Sequence, residues 1–130
     1  LLNIFGGKLT TYRKLAEHAL DKLAPHFPGL GAAWTHAAPL PGGDFEGGMP
    51  ALLADLKRAW PFVPQDRLAA IAHRHGTQAL DWLDGVATLS DLGEHFGAGL
   101  YERELEYLVS HEWAQEPEDV LFRRTKCGLT

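Results

Sequence analysis

The chain has 130 residues, 45% of them hydrophobic, and a formal net charge of −5 with neutral histidines. This length fits one domain, and folding would bury roughly two-thirds of the unfolded surface. No run of Lys and Arg exceeds two residues, so the charge argues against a nucleic-acid partner. The lone cysteine, Cys127, excludes an internal disulfide and a cysteine-based metal cluster. No apolar run approaches the roughly 20 residues that span a bilayer, so we expect no transmembrane segment and a cytoplasmic protein.

The N-terminal region predicts a short extended piece followed by a helix. Leu1–Phe5 is an apolar run leading into two glycines, and we expect it to be the end of a strand belonging to polypeptide upstream. Apolar residues then recur at helical spacing and predict a helix over Thr10–Ala24 that Pro25 ends. Thr10 or Thr11 is predicted to cap this helix through its hydroxyl oxygen.

The rest of the chain predicts a connector and a helical body. Residues 29–50 are rich in glycine and proline, which is typical of a connector. Predicted helices span Pro50–Trp60, Gln65–His75, Gln78–Asp84 with Thr77 as cap, Leu100–Trp113, and a last helix from Pro117 to Gly128. We expect turns over Thr88–Gly99 and no strand after residue 45. The predicted fold class is therefore all-α, a small irregular bundle of about six short helices after a short N-terminal tail.

The segment from Gly6 to Thr10 is the strongest candidate site. The glycines Gly6 and Gly7 let the backbone approach a ligand closely, and Lys8 adds a positive charge. The helix that follows offers free N–H groups and the positive end of its dipole. Such a corner suits an anion or a ring oxygen that gains negative charge. A tight turn with a solvated lysine explains the same residues, because the segment lacks the glycine spacing of a phosphate loop.

Several segments together are similar to the C-terminal part of FAD-dependent glycerol-3-phosphate dehydrogenases. The matching segments are Phe5-Gly6-Gly7-Lys8-Leu9-Thr10-Thr11-Tyr12-Arg13-Lys14-Leu15-Ala16-Glu17, Leu40-Pro41-Gly42-Gly43, Ser90-Asp91-Leu92-Gly93, Tyr107-Leu108-Val109, His111-Glu112-Trp113-Ala114 and Glu118-Asp119-Val120-Leu121-Phe122-Arg123-Arg124-Thr125. They occur in the family's order and span essentially the whole chain. Each is unspecific alone, and their joint occurrence carries the resemblance.

The resemblance implies a role for each part of the chain. Residues 1–28 would be the tail of the FAD-binding domain, 29–50 the connector, and 51–130 the C-terminal helical domain. The family oxidises sn-glycerol 3-phosphate to dihydroxyacetone phosphate with FAD and passes electrons to membrane quinone. The cofactor-binding residues carried over are Gly6, Gly7, Lys8, Leu9 and Thr10, at the pyrimidine edge of the flavin. No catalytic residue and no metal ligand is carried over.

The resemblance also implies partners and limits. The partners would be upstream FAD and substrate domains of the same chain, and a homodimer stays open. The parent would be peripheral on the cytoplasmic membrane. Because the glycine fingerprint of a dinucleotide-binding unit is not in this sequence, we expect the isolated chain to hold no FAD and to be inactive.

Two alternatives stay open at this stage. A glycerol-3-phosphate oxidase would pass electrons to oxygen, and the regions that choose the acceptor are not in this sequence. A stand-alone helical interaction module would bury Leu1–Phe5 internally, whereas a piece of a larger enzyme would leave these residues exposed or paired with another chain.

Other residues favour structural roles. The histidines lack metal-ligand spacing and are expected at surfaces or helix ends. The tryptophans are expected to pack in the core or on helix caps, and Arg123 and Arg124 to complement a helix dipole. Ser90, Asp91 and His95 are too close in sequence to supply triad geometry, and Asp91 is expected to act as a cap.

Overall fold

The computed structural model describes residues 1–129 and divides the chain into two compact units. The first unit is Leu1–Pro39 and the second begins at Leu40.

The first unit contains a single α-helix, α1, over Tyr12–Leu23. A 3-10 turn over Leu9–Thr11 precedes it and another over Ala24–His26 follows, with Pro25 near the start of that second turn. The expected cap is wrong, because the Thr11 hydroxyl donates to the Lys8 carbonyl (2.9 Å) and caps no N–H group. Residues 1–8 form no strand, since a strand requires a neighbouring strand with which to pair.

The second unit is helical, which confirms the all-α fold class. Its helices are α2 over Gly48–Ala59, α3 over Gln65–His75, α4 over Ala79–Leu83 and α5 over Glu102–His111. A π-helical turn covers Asp119–Arg124. The prediction for α3 is confirmed at both ends, because Pro64 precedes its first residue and Gly76 follows its last.

A two-stranded antiparallel sheet corrects the expectation of no strand after residue 45. The strands are β1 over His95–Gly97 and β2 over Leu100–Tyr101, and His95 pairs with Tyr101. The apolar residues at 100 and 101 were expected to begin the fifth helix. They pair with β1 instead, so α5 begins two residues later.

One predicted helix cap is corrected and one predicted helix start is confirmed. Thr77 lies in a 3-10 turn before α4 and its hydroxyl donates to the Asp44 carboxylate, so it does not cap that helix. The last helix begins at Pro117, as predicted, because Pro117 and Glu118 are α-helical and lead directly into the π-helical turn. The Asp119 carboxylate accepts the N–H groups of Gln115 and Glu116, and these bonds hold its pKa below the ordinary value.

The core lies entirely in the second unit and forms two clusters. The larger joins α2, α3, α4 and α5 through Leu52, Leu56, Val63, Leu68, Ile71, Ala72, Ala79, Trp82, Leu83, Val86, Leu92 and Tyr107. The smaller joins β2, α5 and the π-helical turn through Leu100, Leu108, Ala114 and Val120. The indole N–H of Trp60 donates to the Val86 carbonyl (3.1 Å) and fastens the end of α2 to the larger cluster.

Candidate functional site

The glycine–lysine corner, Gly6–Thr10, is an open turn on the first unit. Gly6 and Gly7 have φ angles of 70° and 138°, which side-chain-bearing residues rarely adopt. A Cβ on Gly7 would lie 3.1 Å from Leu15 Cδ2, so glycine also permits close packing against α1. All five predicted residues are exposed. The sequence therefore places them together on one surface that a larger partner can reach.

The corner has two kinds of group that can bind a ligand, the first backbone N–H groups of its helical turn and the charge of Lys8. The Lys8 carbonyl accepts both the N–H and the hydroxyl of Thr11, each at 2.9 Å. Neither the 3-10 turn nor α1 has a side-chain cap within the described residues. The first N–H groups of a helical segment have no acceptor inside it, which leaves those of Leu9 and Thr10 for an external acceptor. Lys8 forms no ion pair among residues 1–129, so its charge is available at the same edge.

A polar network fixes α1 to the segment that follows it within the first unit. Glu17 Oε1 accepts from Arg13 Nη1 (2.8 Å) and from the Thr35 hydroxyl (2.5 Å), while Lys14 lies 3.4 Å from Oε2. The hydrogen bond from Thr35 is the main cause that holds the Glu17 pKa below its ordinary value. This network holds α1 in place, and the glycine–lysine corner leads directly into that helix.

The second unit contains a buried charged cluster that sequence reasoning missed. Glu104 is completely buried, and its Oε1 atom lies 2.8 Å from His75 Nε2 and 3.3 Å from Arg74 Nε. The His75 ring makes edge contacts with Trp82 and Tyr107 at centroid distances of 5.5 and 5.7 Å. The cluster therefore joins the end of α3 to the first turn of α5. The spacing of Leu100, Glu104 and Leu108 puts the carboxylate on an apolar stripe, and that is the signal that could have revealed it.

A glycine turn closes the second unit beside this cluster. The Thr77 N–H donates to the Gly42 carbonyl (3.0 Å). A Cβ on Gly76 would lie only 1.8 Å from the Gly42 carbonyl oxygen, and one on Gly42 only 2.4 Å from the His75 carbonyl oxygen. These approaches require glycine at both positions. The Leu40-Pro41-Gly42-Gly43 segment thus acts in this structure as a packing element.

The other sequence interpretations have mixed outcomes. Trp82 is buried and Trp60 packs on the core, as predicted, but Trp34 and Trp113 are 70% and 84% exposed. Of the histidines, His75 is buried, and it is the last residue of α3, so it lies at a helix end as expected.

The remaining polar candidates serve local structure. The Asp91 carboxylate accepts the N–H groups of Ala87 and Thr88, which lowers its pKa and confirms its predicted capping role. Arg123 pairs with Asp119, and Arg124 lies 3.2 Å from Glu112, so both arginines have carboxylate partners.

Within residues 1–129, no three His, Cys, Asp or Glu side chains lie close enough to hold a metal ion. Over the same residues, no helix has the length and apolar character needed to cross a membrane.

Comparisons with known proteins support the resemblance drawn from the sequence. Residues 33–130 match the family described as the C-terminal domain of alpha-glycerophosphate oxidase. Over 99% of its length, the chain is 50% identical to the aerobic glycerol-3-phosphate dehydrogenase of Escherichia coli and 52% identical to the glycerol-3-phosphate dehydrogenase of Pseudomonas aeruginosa. It is 42% identical over 97% of its length to D-erythritol 1-phosphate dehydrogenase of Brucella abortus.

The chain spans 26% of the Escherichia coli protein and 25% of each of the other two. The family match covers the whole helical body, and the pairwise matches extend through the glycine–lysine corner. The chain belongs to the family of the C-terminal domain of alpha-glycerophosphate oxidase and glycerol-3-phosphate dehydrogenase.

Proposed function

We propose that the chain is the C-terminal part of an FAD-dependent enzyme that oxidises sn-glycerol 3-phosphate to dihydroxyacetone phosphate and passes electrons to membrane quinone. Residues 1–28 complete the FAD domain, and residues 51–130 form the C-terminal helical domain. Residues 29–50 are the connector between them. The observation that carries this proposal is the 50% identity to the Escherichia coli aerobic dehydrogenase over 99% of the chain. The parent is cytoplasmic and peripheral on the membrane.

The glycine–lysine corner fits the edge of a flavin ring. Gly6 and Gly7 carry no side chain that would hold a flat ring away from the backbone, and the N–H groups of Leu9 and Thr10 supply donors. FAD, when bound, supplies the acceptor for the substrate's hydride. Gly6 to Thr10 would hold the pyrimidine edge of the flavin, and Lys8 would stabilise negative charge there.

Exposure at the N-terminus favours this proposal over a stand-alone interaction module. A stand-alone module would bury Leu1–Phe5, yet Ile4 is 55% exposed and Phe5 is 90% exposed. An upstream FAD domain of the same polypeptide would cover this apolar surface.

A glycerol-3-phosphate oxidase is the second candidate, because the matching family is described by that activity. Comparing reoxidation of the full-length enzyme by oxygen and by a quinone analogue separates the two. The similarity to D-erythritol 1-phosphate dehydrogenase makes that polyol phosphate the competing substrate for the same assay.

The test of the flavin contact uses the full-length protein that carries this chain. Lys8→Met removes the charge at the corner, and Lys22→Met, at an exposed position in the last turn of α1, is the matched control. We expect Lys8→Met to lower the flavin reduction potential and to lower kcat by about 10-fold or more, because a stabilising group at the developing charge is lost. Unchanged potential and kcat in Lys8→Met would overturn the contact.

A second measurement addresses the isolated chain. We expect the purified 130-residue chain to show no flavin absorbance and no dehydrogenase activity. Stoichiometric yellow colour would contradict the expectation that FAD needs the upstream domain.

A further inference from the structure

Trp113 lies where the fold of residues 1–129 does not require a tryptophan. It follows the end of α5 and is 84% exposed, so its indole gains little from burial within the chain. Its φ angle is 58°, in the left-handed region that glycine usually adopts after a helix. The Leu108 carbonyl holds this backbone by accepting the N–H groups of Glu112 and Ala114, each at 3.1 Å. A large exposed side chain in a conformation that favours glycine stabilises neither the helix end nor the core.

An apolar groove adjoins this tryptophan. The groove has a volume of about 350 Å³ and lies between α5 and the π-helical turn, and members of the smaller core cluster line it. Phe96 and Val109 also line it, and they are 49% and 53% exposed. Trp113 directly precedes Ala114, a lining residue, so its backbone adjoins the groove. We call Trp113, Phe96 and Val109 the tryptophan surface.

The chemistry of the groove suits another protein segment. Of the described residues that line it, only Gln115 and Glu116 are polar, and the backbone N–H groups of both donate to the Asp119 carboxylate. The groove therefore offers little to an ion or a polar ligand. Grouped exposed apolar residues beside a tryptophan are typical of a surface that another protein segment covers.

The size of the tryptophan surface indicates a tethered partner. A fully buried aromatic side chain contributes about 150–250 Å², and this surface has two, of which Phe96 is already half-buried. Stable complexes between separate proteins bury about 800 Å² on each partner, which is more than this surface supplies. A covalent tether lowers the requirement, because it provides an effective concentration in about the millimolar range. The area therefore favours a partner within the same polypeptide over a second copy.

Such a tethered partner exists in the relatives. The chain spans 26% of the Escherichia coli dehydrogenase, so most of that protein lies outside the matched segment. Under the proposed function, the corresponding part of this enzyme holds the FAD and substrate domains. We call this part, which lies outside the 130 residues, the catalytic body.

We propose that Trp113 anchors the helical domain on the catalytic body of the same polypeptide, and that this contact covers the indole and the groove in the full-length enzyme. The proposal rests on the proposed function, which supplies the catalytic body. A tryptophan in a desolvated contact provides a large share of the binding free energy. Docking thus gives a physical reason for a bulky residue in left-handed backbone, since its exposed indole is presented at the end of α5.

The test compares the full-length, FAD-loaded enzyme with the 130-residue chain by hydroxyl-radical footprinting and mass spectrometry. We expect oxidation of Trp113 to be at least about fivefold slower in the full-length enzyme, as for an anchor in a desolvated pocket. Trp82, 5% exposed within the chain, is the control because it is buried in both samples. Equal oxidation of Trp113 in both samples would overturn the proposal. Protection that weakens on dilution would also overturn it, since it would report contact between separate copies.

Full-length Trp113→Gly tests whether the indole is the anchor. Glycine adopts a φ of 58° without strain, so the substitution removes only the side chain. We expect docking to weaken about 10-fold or more, and oxidation of Phe96 and Val109 to become faster as a result. Leu80→Ala, at a 44% exposed position on α4 outside the groove, should leave both oxidation rates unchanged. Unchanged oxidation of Phe96 and Val109 in Trp113→Gly would overturn the proposal.

The same substitution in the 130-residue chain separates docking from folding. We expect Trp113→Gly to leave the urea midpoint unchanged or to raise it, because the indole is exposed and glycine favours this backbone. A lower midpoint would show that the indole stabilises the chain's own fold and would overturn the proposal.

Oxidation of sn-glycerol 3-phosphate by the full-length enzyme is measured alongside the footprint. Activity with an unprotected Trp113 would overturn the docking proposal alone. Protection of Trp113 without activity would support docking and overturn the proposed function.

Discussion

The two units of this chain differ in how they bury apolar surface. None of residues 1–39, all of which the structure describes, is buried, although this unit contains Phe5, Leu20 and Trp34. From Leu40 onward, α2 to α5 enclose the larger of the two core clusters, which includes Leu56 and Leu83, both fully buried. The first unit has a 12-residue helix but no buried core, whereas the short helices of the second unit enclose a core.

This difference separates helix formation from independent folding. A lone helix of 12 residues is marginal in water, because most helical stability in proteins comes from packing its apolar face. The first unit therefore lacks the packing surface that stabilises such a helix, and under the proposed function an upstream FAD domain would supply it. The second unit contains what a self-supporting domain requires.

Limited proteolysis should separate the two units with the largest effect. Opening of a segment without a core costs nearly no free energy, whereas cleavage in the second unit requires unfolding of its core. We expect cleavage within residues 1–39 to be at least about 100-fold faster than cleavage within α2 to α5. Mass spectrometry of samples taken over time measures the two rates. Equal protection of residues 1–12 would show that this segment is packed and would remove the contrast.

The buried carboxylate gives the largest expected effect of a point substitution. Glu104→Ala leaves Arg74 and His75 without their acceptor, and breaking a buried pair typically costs about 3–5 kcal/mol. Urea unfolding followed by tryptophan fluorescence measures this loss in free energy of unfolding. Glu106→Ala, two residues along the same helix and exposed, should change stability by less than about 0.5 kcal/mol. Similar losses in the free energy of unfolding at both positions would show that the contacts of Glu104 with Arg74 and His75 do not stabilise the fold specifically.

A pair of leucines compares the units directly. Leu56→Ala removes a fully buried side chain and should cost about 2–5 kcal/mol of unfolding free energy. Leu20→Ala, on α1 and 50% exposed, should cost less than about 0.5 kcal/mol in the isolated chain. Urea denaturation of both variants measures the difference. A large loss in Leu20→Ala would mean that α1 packs on a core after all.

The smallest expected effect is the loss, at low pH, of the stabilisation that the Asp91 carboxylate provides. Because the folded state lowers the pKa of Asp91, the carboxylate stabilises the second unit above the unfolded pKa near 3.9. This contribution is lost as the pH falls through the lower folded pKa. We expect the Tm difference between the wild-type chain and Asp91→Asn to be constant at pH 5–7 and to shrink below about pH 4. A difference that grows in acid would contradict this sign.

Local patterns predicted elements wherever the chain itself provides the start and stop. Pro64 and Gly76 bound α3, and Asp91 caps its turn through N–H groups three and four residues away. Patterns failed where a distant residue competes. Thr77 bonds Asp44, 33 residues away, in place of capping α4, and β2 begins where a helix was expected.

The candidate site divides in the same way. The glycine–lysine corner is contiguous, so its residues could be named from the sequence, and its flavin contact stays a prediction. The cluster around Glu104 joins residues 29 positions apart, so it could not be assembled without knowing which helix faces meet.

The sequence by itself determined the helical class, the family and the glycine positions, because helix periodicity, turn residues and contiguous motifs are local properties. Tertiary structure decided which charges are buried and which tryptophans are exposed. Burial depends on the packing of segments distant in sequence, and a residue's own neighbours along the chain do not encode it.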